Sequence, residues 1–128
     1  MRRALRLVIY LWVFPTTLLG LLFAPFSGGV RIVDGVIEIN GGLSALFLRY
    51  CTLVPGGASA MTLGHVVIAR TAQLHELTRT HERVHVRQCE RWGPLFIPAY
   101  LVASLVAKLR GGDAYRDNPF EREAYAKG

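Results

Sequence analysis

The chain predicts an α+β fold: a small antiparallel or mixed sheet packed on one long helix, with an apolar helix near the N-terminus and a second, shorter one further on. Three observations carry this. Wound at about 100° per residue, residues 74–92 place Leu74, Leu77, His81, Val84, His85, Gln88 and Trp92 on one face and Arg79, Arg83, Arg87 and Glu90 opposite. Residues 30–39 flank Asp34-Gly35, a dipeptide that suits a two-residue hairpin turn. Residues 7–26 and 94–107 contain no charged side chain. At 128 residues the chain is one domain at most, and its mean hydropathy of +0.30 with 52% hydrophobic residues is high for a freely soluble protein.

Taken in order, Met1 to Arg6 is a basic start, and Leu7 to Phe26 is long enough as a helix, about 30 Å, to cross a bilayer core. Pro15 and Gly20 interrupt it, so residues 1–26 read as a membrane anchor, either a kinked span or a re-entrant hairpin. A secretory signal is the rival, but the apolar run is long for one and no A-x-A site follows. Residues 27–128 form the remaining domain. After Ser27-Gly28-Gly29, the Asp-Gly turn pairs Val33 with Val36, Ile32 with Ile37 and Arg31 with Glu38 across a hairpin. Asn40-Gly41-Gly42 turns the chain, and Leu43–Val54 reads equally as strand or short helix, ended by Pro55-Gly56-Gly57. Met61–Arg70 reads as a strand. Gly93-Pro94 stops the long helix. Residues 94–107 make only about 21 Å of helix, so this run is expected to be buried or half-inserted rather than spanning.

His81-Glu82-Arg83-Val84-His85 spells H-E-x-x-H on the buried stripe of the long helix. Residues i and i+4 share a helical face, so the two imidazoles can converge on one metal ion. Glu82 sits beside them, placed to handle a proton of water that the ion has acidified. A surface helix carrying the pattern by chance would turn its histidines to solvent. His75 belongs to a second His-Glu pair, but Arg79 stands where its partner histidine would be needed, so His75 is expected to be solvated.

A catalytic zinc takes three protein ligands and keeps a fourth position open. Cys89 lies about 12 Å along the axis from His81, too far to share the ion, and reads as a packed thiol. Asn118-Pro119-Phe120-Glu121-Arg122-Glu123 reads as a capped helix start with acids in its first turn. Glu121 and Glu123 point about 200° apart, so only one can join the histidines.

H-E-x-x-H followed by Glu121-x-x-Ala124-Tyr125 resembles the gluzincin metallopeptidases, including their compact and membrane-bound types, over residues 60–128. The chain is also similar to small bacterial membrane proteins that carry the motif. The resemblance implies Zn2+ held by His81, His85 and Glu121, with Glu82 as general base. Tyr125 departs from the Asp or Asn common at that position. It also implies a substrate peptide docked along a sheet edge formed by the strand before the motif helix. Gly64, His65, Tyr115 and Tyr125 are then candidate substrate or oxyanion contacts, with Arg116 as a further one; for His65 and both tyrosines a packed structural role competes.

The expected function is a membrane-associated zinc metallopeptidase acting on a peptide or protein substrate, in contact with lipid and placed in the bacterial inner membrane. The alternative is a non-catalytic membrane protein with a structural or vestigial metal site. The net charge of +6 raises nucleic acid as a partner, but the arginines are scattered and no nucleic-acid module is present. Two cysteines do not make a disulfide framework.

Overall fold

A computed structural model describes residues 2–52, 54 and 56–128. Met1 of the basic start, Leu53, and Pro55 as terminator of the Leu43–Val54 run lie outside the described residues. The architecture is α+β, with a four-stranded mixed sheet ordered β1-β2-β4-β3. The elements are α1 (Arg2–Leu21), β1 (Gly29–Val33), β2 (Val36–Asn40), α2 (Leu43–Tyr50), β3 (Ala60–Leu63), β4 (Val66–Ala69), α3 (Ala72–Trp92), α4 (Phe96–Leu109) and α5 (Pro119–Lys127).

The β1–β2 hairpin has the register that its turn dictates: Val33 opposite Val36, Ile32 opposite Ile37 and Arg31 opposite Glu38. Asp34 and Gly35 both take positive φ, 50° and 78°, as a type I′ turn requires. Met61–Arg70 is not one strand. The chain reverses at Gly64-His65, and β3 and β4 pair antiparallel across it. Gly64 has φ 69° while His65 does not have positive φ, the pattern of a type II′ turn with glycine at its first central position. β4 then pairs parallel with β2 on its other side. The strand that leads into α3 is therefore internal, and the free edge on that side of the sheet is β3.

β4 is buried at every residue, Val66-Val67-Ile68-Ala69, because both sheet faces are covered. Val66 and Ile68 join Ile39, Leu48 and Leu63 on the face capped by α2 and the end of α1. Val67 and Val36 meet Val86 of α3 on the other. The undecided run from Leu43 is thus a helix, and its Leu48 fills the core. Glu38 is buried at the end of this second face. It accepts from Arg79 Nε at 2.9 Å and Nη2 at 2.8 Å, and from Arg31 and Arg83 Nη2 at 3.3 Å each. Burial raises the Glu38 pKa, but the Arg79 hydrogen bond and neighbouring positive charge outweigh it and bring it below 4.5. Its stabilisation is then complete above the unfolded value of 4.5 and is lost as pH falls through the lower folded value. We expect Glu38→Gln to cost about 2 kcal/mol at pH 7, less than for a fully buried pair because the arginines keep some solvent. In urea titrations the gap from wild type should narrow towards pH 3.

α1 runs unbroken from Arg2 through Pro15 to Leu21, so no hairpin forms within it; its chain ends in a short turn at Ala24–Phe26. One face, Val13, Thr16, Thr17 and Gly20, packs on the domain. A Cβ on Gly20 would lie 2.6 Å from Val66 Cβ, so the helix rests directly on the sheet. Gly20→Ala should therefore destabilise by about 1–3 kcal/mol, read by denaturant unfolding in detergent micelles. The opposite face exposes Leu7, Val8, Leu11 and Leu18, and Leu5 near the start of the helix is exposed as well. α4 likewise exposes Leu101, Val102, Leu105 and Leu109. Two helical stretches, Arg2–Phe26 and Ala72–Leu109, are long and apolar enough by length and composition to cross a membrane. In the second, the apolar part is Trp92–Leu109; α3 carries Arg79, Glu82, Arg83, Arg87, Glu90 and Arg91.

Candidate metal centre

α3 begins at Thr71, whose side chain accepts from Leu74 N–H, and stops at Gly93, where φ is 58°. Gly93 lies against the Trp12 ring of α1, where a side chain would have no room. α5 starts as its sequence dictates: Asn118 Oδ1 accepts from Phe120 N–H at 2.9 Å and Pro119 occupies the first turn. Asn118 Nδ2 also donates to Tyr100 O and to Ser104 Oγ, which ties the start of α5 to α4. Glu121 is thereby aimed at α3.

His81 Nε2 and His85 Nε2 lie 3.0 and 2.9 Å from one atom, Glu121 Oε1. One donor atom from each of the three residues falls within 4.8 Å of the others, and Glu121 is 4% exposed. Two imidazole nitrogens and a carboxylate oxygen are a donor set suited to zinc. Burial pushes the Glu121 carboxyl up, but hydrogen bonds from His81 and His85 outweigh it and hold it at about 2. Burial pushes the His85 imidazole down, but the Glu121 hydrogen bond and the Glu82 and Glu121 charges raise it to about 9. The cluster therefore favours positive charge at its centre, which a divalent cation supplies as a proton does. Glu123 is directed elsewhere, to Gln88, Arg91 and Lys127.

Three residues that sequence reasoning did not assign hold this group. Gln88 is 1% exposed; its Nε2 donates to Phe120 O and Glu123 Oε1, so its Oε1 faces His85 Nδ1 at 2.8 Å. That acceptor requires the His85 proton on Nδ1, which leaves Nε2 of the neutral ring with a lone pair able to ligate an ion. Tyr100 OH donates to Glu121 Oε2 at 2.6 Å. Thr62 of β3 donates to Glu82 Oε2 at 2.7 Å. Gln88 could have been noticed one turn beyond His85 on the same stripe. Thr62 and Tyr100 come from other elements, and no spacing announces them. Gln88→Leu should weaken zinc binding by about 10–100-fold in a competition titration with a chromophoric chelator.

Glu82 is 5% exposed, and burial pushes its carboxyl up. It lies between two cavities. One, of about 510 Å³, is lined by Glu82, His85 and Glu121 at the site and by apolar side chains of α1, α2, β3 and α4. The other, of about 390 Å³, is lined by His81, Glu82, Thr78 and Thr80 together with Leu77. Tyr115 borders both, and its OH is 3.0 Å from Tyr125 OH. The Tyr125 ring stands edge-on to His81, with centroids 4.4 Å apart.

Gly64 and His65 are not brought to this cluster. Gly64 abuts Thr17 of α1, and His65 donates its N–H to Thr17 Oγ1, stacks on Tyr10 and pairs with Glu90 at 3.1 Å. Arg116 is exposed, and its backbone N–H closes a turn on Asp113. Cys89 is a packed thiol between Val13 and Phe96, pushed up to about 12 by burial. His75 is not solvated: it is 2% exposed with Nε2 2.8 Å from Ile39 O, because the sheet covers the side of α3 that carries it. Leu77 is 78% exposed, since the face it shares with His81 borders the second cavity instead of a core.

Comparison of the chain with protein-family models, curated proteins and solved structures gives no match.

Proposed function

We propose that this chain is a membrane-associated zinc metallopeptidase. The reading rests on one observation above all: His81, His85 and Glu121 converge from two helices on a single point, with the buried Glu82 beside it. Among the described residues the group has three donors, which leaves a zinc coordination position open as hydrolysis needs. Zinc bound there would supply Lewis acidity, lowering the pKa of water towards about 7 and polarising a carbonyl. The chain's own residues do the rest. Gln88 and Tyr100 orient His85 and Glu121. Thr62 holds Glu82 by Oε2, and the other carboxylate oxygen takes a proton from the attacking water and passes it to the leaving amine.

An extended substrate peptide would lie along the free edge of β3, a reading supported by Met61 and Thr62 bordering the larger cavity next to Glu82. Tyr115, at the junction of the cavities, is the candidate donor to the developing oxyanion. α1 serves as membrane anchor, with α4 resting its exposed apolar face in lipid. The exposed apolar faces of α1 and α4 support a membrane as the compartment, and the bacterial inner membrane is proposed on the motif resemblance alone.

The test is hydrolysis of a fluorogenic peptide panel by protein purified in detergent micelles. Cleavage that stops with a chelator and returns with zinc is expected. Zinc bound at one equivalent without cleavage of any peptide would favour the non-catalytic alternative.

A further inference from the structure

α1 is held by the rest of the chain over half its length. Ile9 and Val13 pack with Cys89 and Phe96. Tyr10 OH donates to Gly35 O at 2.8 Å, the Trp12 ring lies against Gly93, and Thr16 Oγ1 donates to Gly93 O at 3.4 Å. Thr17 Oγ1 accepts from His65 N–H at 3.0 Å, and Gly20 rests on Val66. From Ile9 to Gly20 is about 16 Å of helix, which leaves the exposed residues Arg2–Val8, about 10 Å, free of the domain. A bilayer core is roughly 30 Å thick. α1 could therefore cross it only by taking the packed stretch, and with it the end of α3, into hydrocarbon. That end carries Glu90, which meets His65 at 3.1 Å, and Arg91, whose side chain is 60% exposed. Ionised side chains open to lipid at that depth are costly.

The two sides of α1 differ as a helix lying flat on a membrane requires. Wound at about 100° per residue, Leu7, Leu11, Phe14 and Leu18 form one stripe, and all are exposed. Arg2 and Arg6 fall on the opposite side with Val13, Thr17 and Gly20, and Arg3 falls beside them. Neighbouring helices extend the apolar stripe. Leu19, Leu22, Leu43 of α2 and Leu101 of α4 line the larger cavity yet stay exposed, so the outward faces of the three helices adjoin around its mouth. Across the sheet from α2, the guanidinium groups of Arg31, Arg79 and Arg83 gather on Glu38. We propose that α1 lies in the plane of one leaflet of an anionic bilayer and does not cross it. Its apolar stripe and the outward faces of α2 and α4 sit in hydrocarbon, and Arg2, Arg3 and Arg6 meet lipid phosphates at the headgroup level. Arg2 and α5 are then on the same side of the membrane. The inference rests on the membrane association proposed above and on neither zinc nor hydrolysis.

The test is depth measurement by spin-label electron paramagnetic resonance in vesicles of phosphatidylethanolamine and phosphatidylglycerol. Labels are placed singly at Leu7→Cys, Leu11→Cys, Phe14→Cys and Leu18→Cys in a Cys51→Ser background, where the remaining thiol, Cys89, is buried. Collision with oxygen, compared with collision with a water-soluble nickel complex, reads the depth. The four labels should share one level, about 5–10 Å below the headgroup boundary. A label at Arg91→Cys should stay open to the nickel complex, and labels at Leu46→Cys and Leu105→Cys should be shielded from it. A span requires depth that grows along α1, with Leu18 about 16 Å deeper than Leu7, and Arg91 hidden from water. That result would overturn the proposal, as would nickel access at Leu46 or Leu105. A second copy on this face would overturn it too, seen as Leu11 labels shielded from both reagents and broadened by one another. Flotation with the vesicles is scored on the same samples. Protein that does not float defeats the membrane association itself, whereas floating protein with a depth gradient defeats only the in-plane placement. Depth is read without substrate, so a lack of peptide hydrolysis would leave the placement standing.

Discussion

Glu82→Gln should keep zinc at the wild-type stoichiometry and lose peptide hydrolysis by about 10²–10⁴-fold, the usual contribution of a positioned general base. The substitution is nearly isosteric, and Thr62 can still donate to the amide oxygen of glutamine, so β3 and α3 remain joined. What disappears is the ability to accept a proton. Burial already raises the Glu82 pKa, which makes its carboxylate a better base than an exposed one. The readouts are zinc content by elemental analysis and initial rates on the best peptide of the panel. Activity within a few fold of wild type would remove Glu82 from the mechanism.

His85→Ala and Glu121→Ala should bind zinc more weakly than wild type by more than the 10–100-fold cost of losing a supporting residue. Each removes one of the three converging donor atoms and leaves the other two. Glu123→Ala is the control, since Glu123 reaches Gln88, Arg91 and Lys127 and not the histidines. It should retain zinc. Zinc should also raise the melting temperature of wild type and Glu123→Ala in a concentration-dependent way, and not that of the two ligand variants. Equal zinc affinity in all four proteins would contradict the ligand set.

Local rules made part of this fold legible. The Asp34-Gly35 turn dictated the β1–β2 register residue by residue, because a type I′ turn leaves no freedom in the pairing. Asn118-Pro119 marked the start of α5, because capping is a matter of adjacent atoms. The convergence of His81 and His85 follows from a helical repeat. Gly64-His65 carried an equally local hairpin signal, a glycine at the first place of a two-residue turn, but the apolar run around it reads as one strand unless the turn is given priority. The misplacement of His75 and Leu77 has a different origin. Helical phase predicts which residues share a face; it does not say which faces are covered. α3 is covered by sheet on one side and by α4 and α5 on another, and along the His81 face it borders a cavity. The parts of the site supplied by Thr62, Gln88 and Tyr100 depend on β3, α4 and α5 meeting around α3, and such contacts have no period along a chain.

X-ray absorption at the zinc edge of the wild-type protein tests the ligand assignment most directly. Two imidazole nitrogens at roughly 2.0–2.1 Å and oxygen ligands at roughly 2.0–2.2 Å, with no sulfur, are the expected shell. A sulfur shell near 2.3 Å, or a spectrum unchanged by His85→Ala, would place the ion elsewhere and end the account of Glu82 as its partner in hydrolysis.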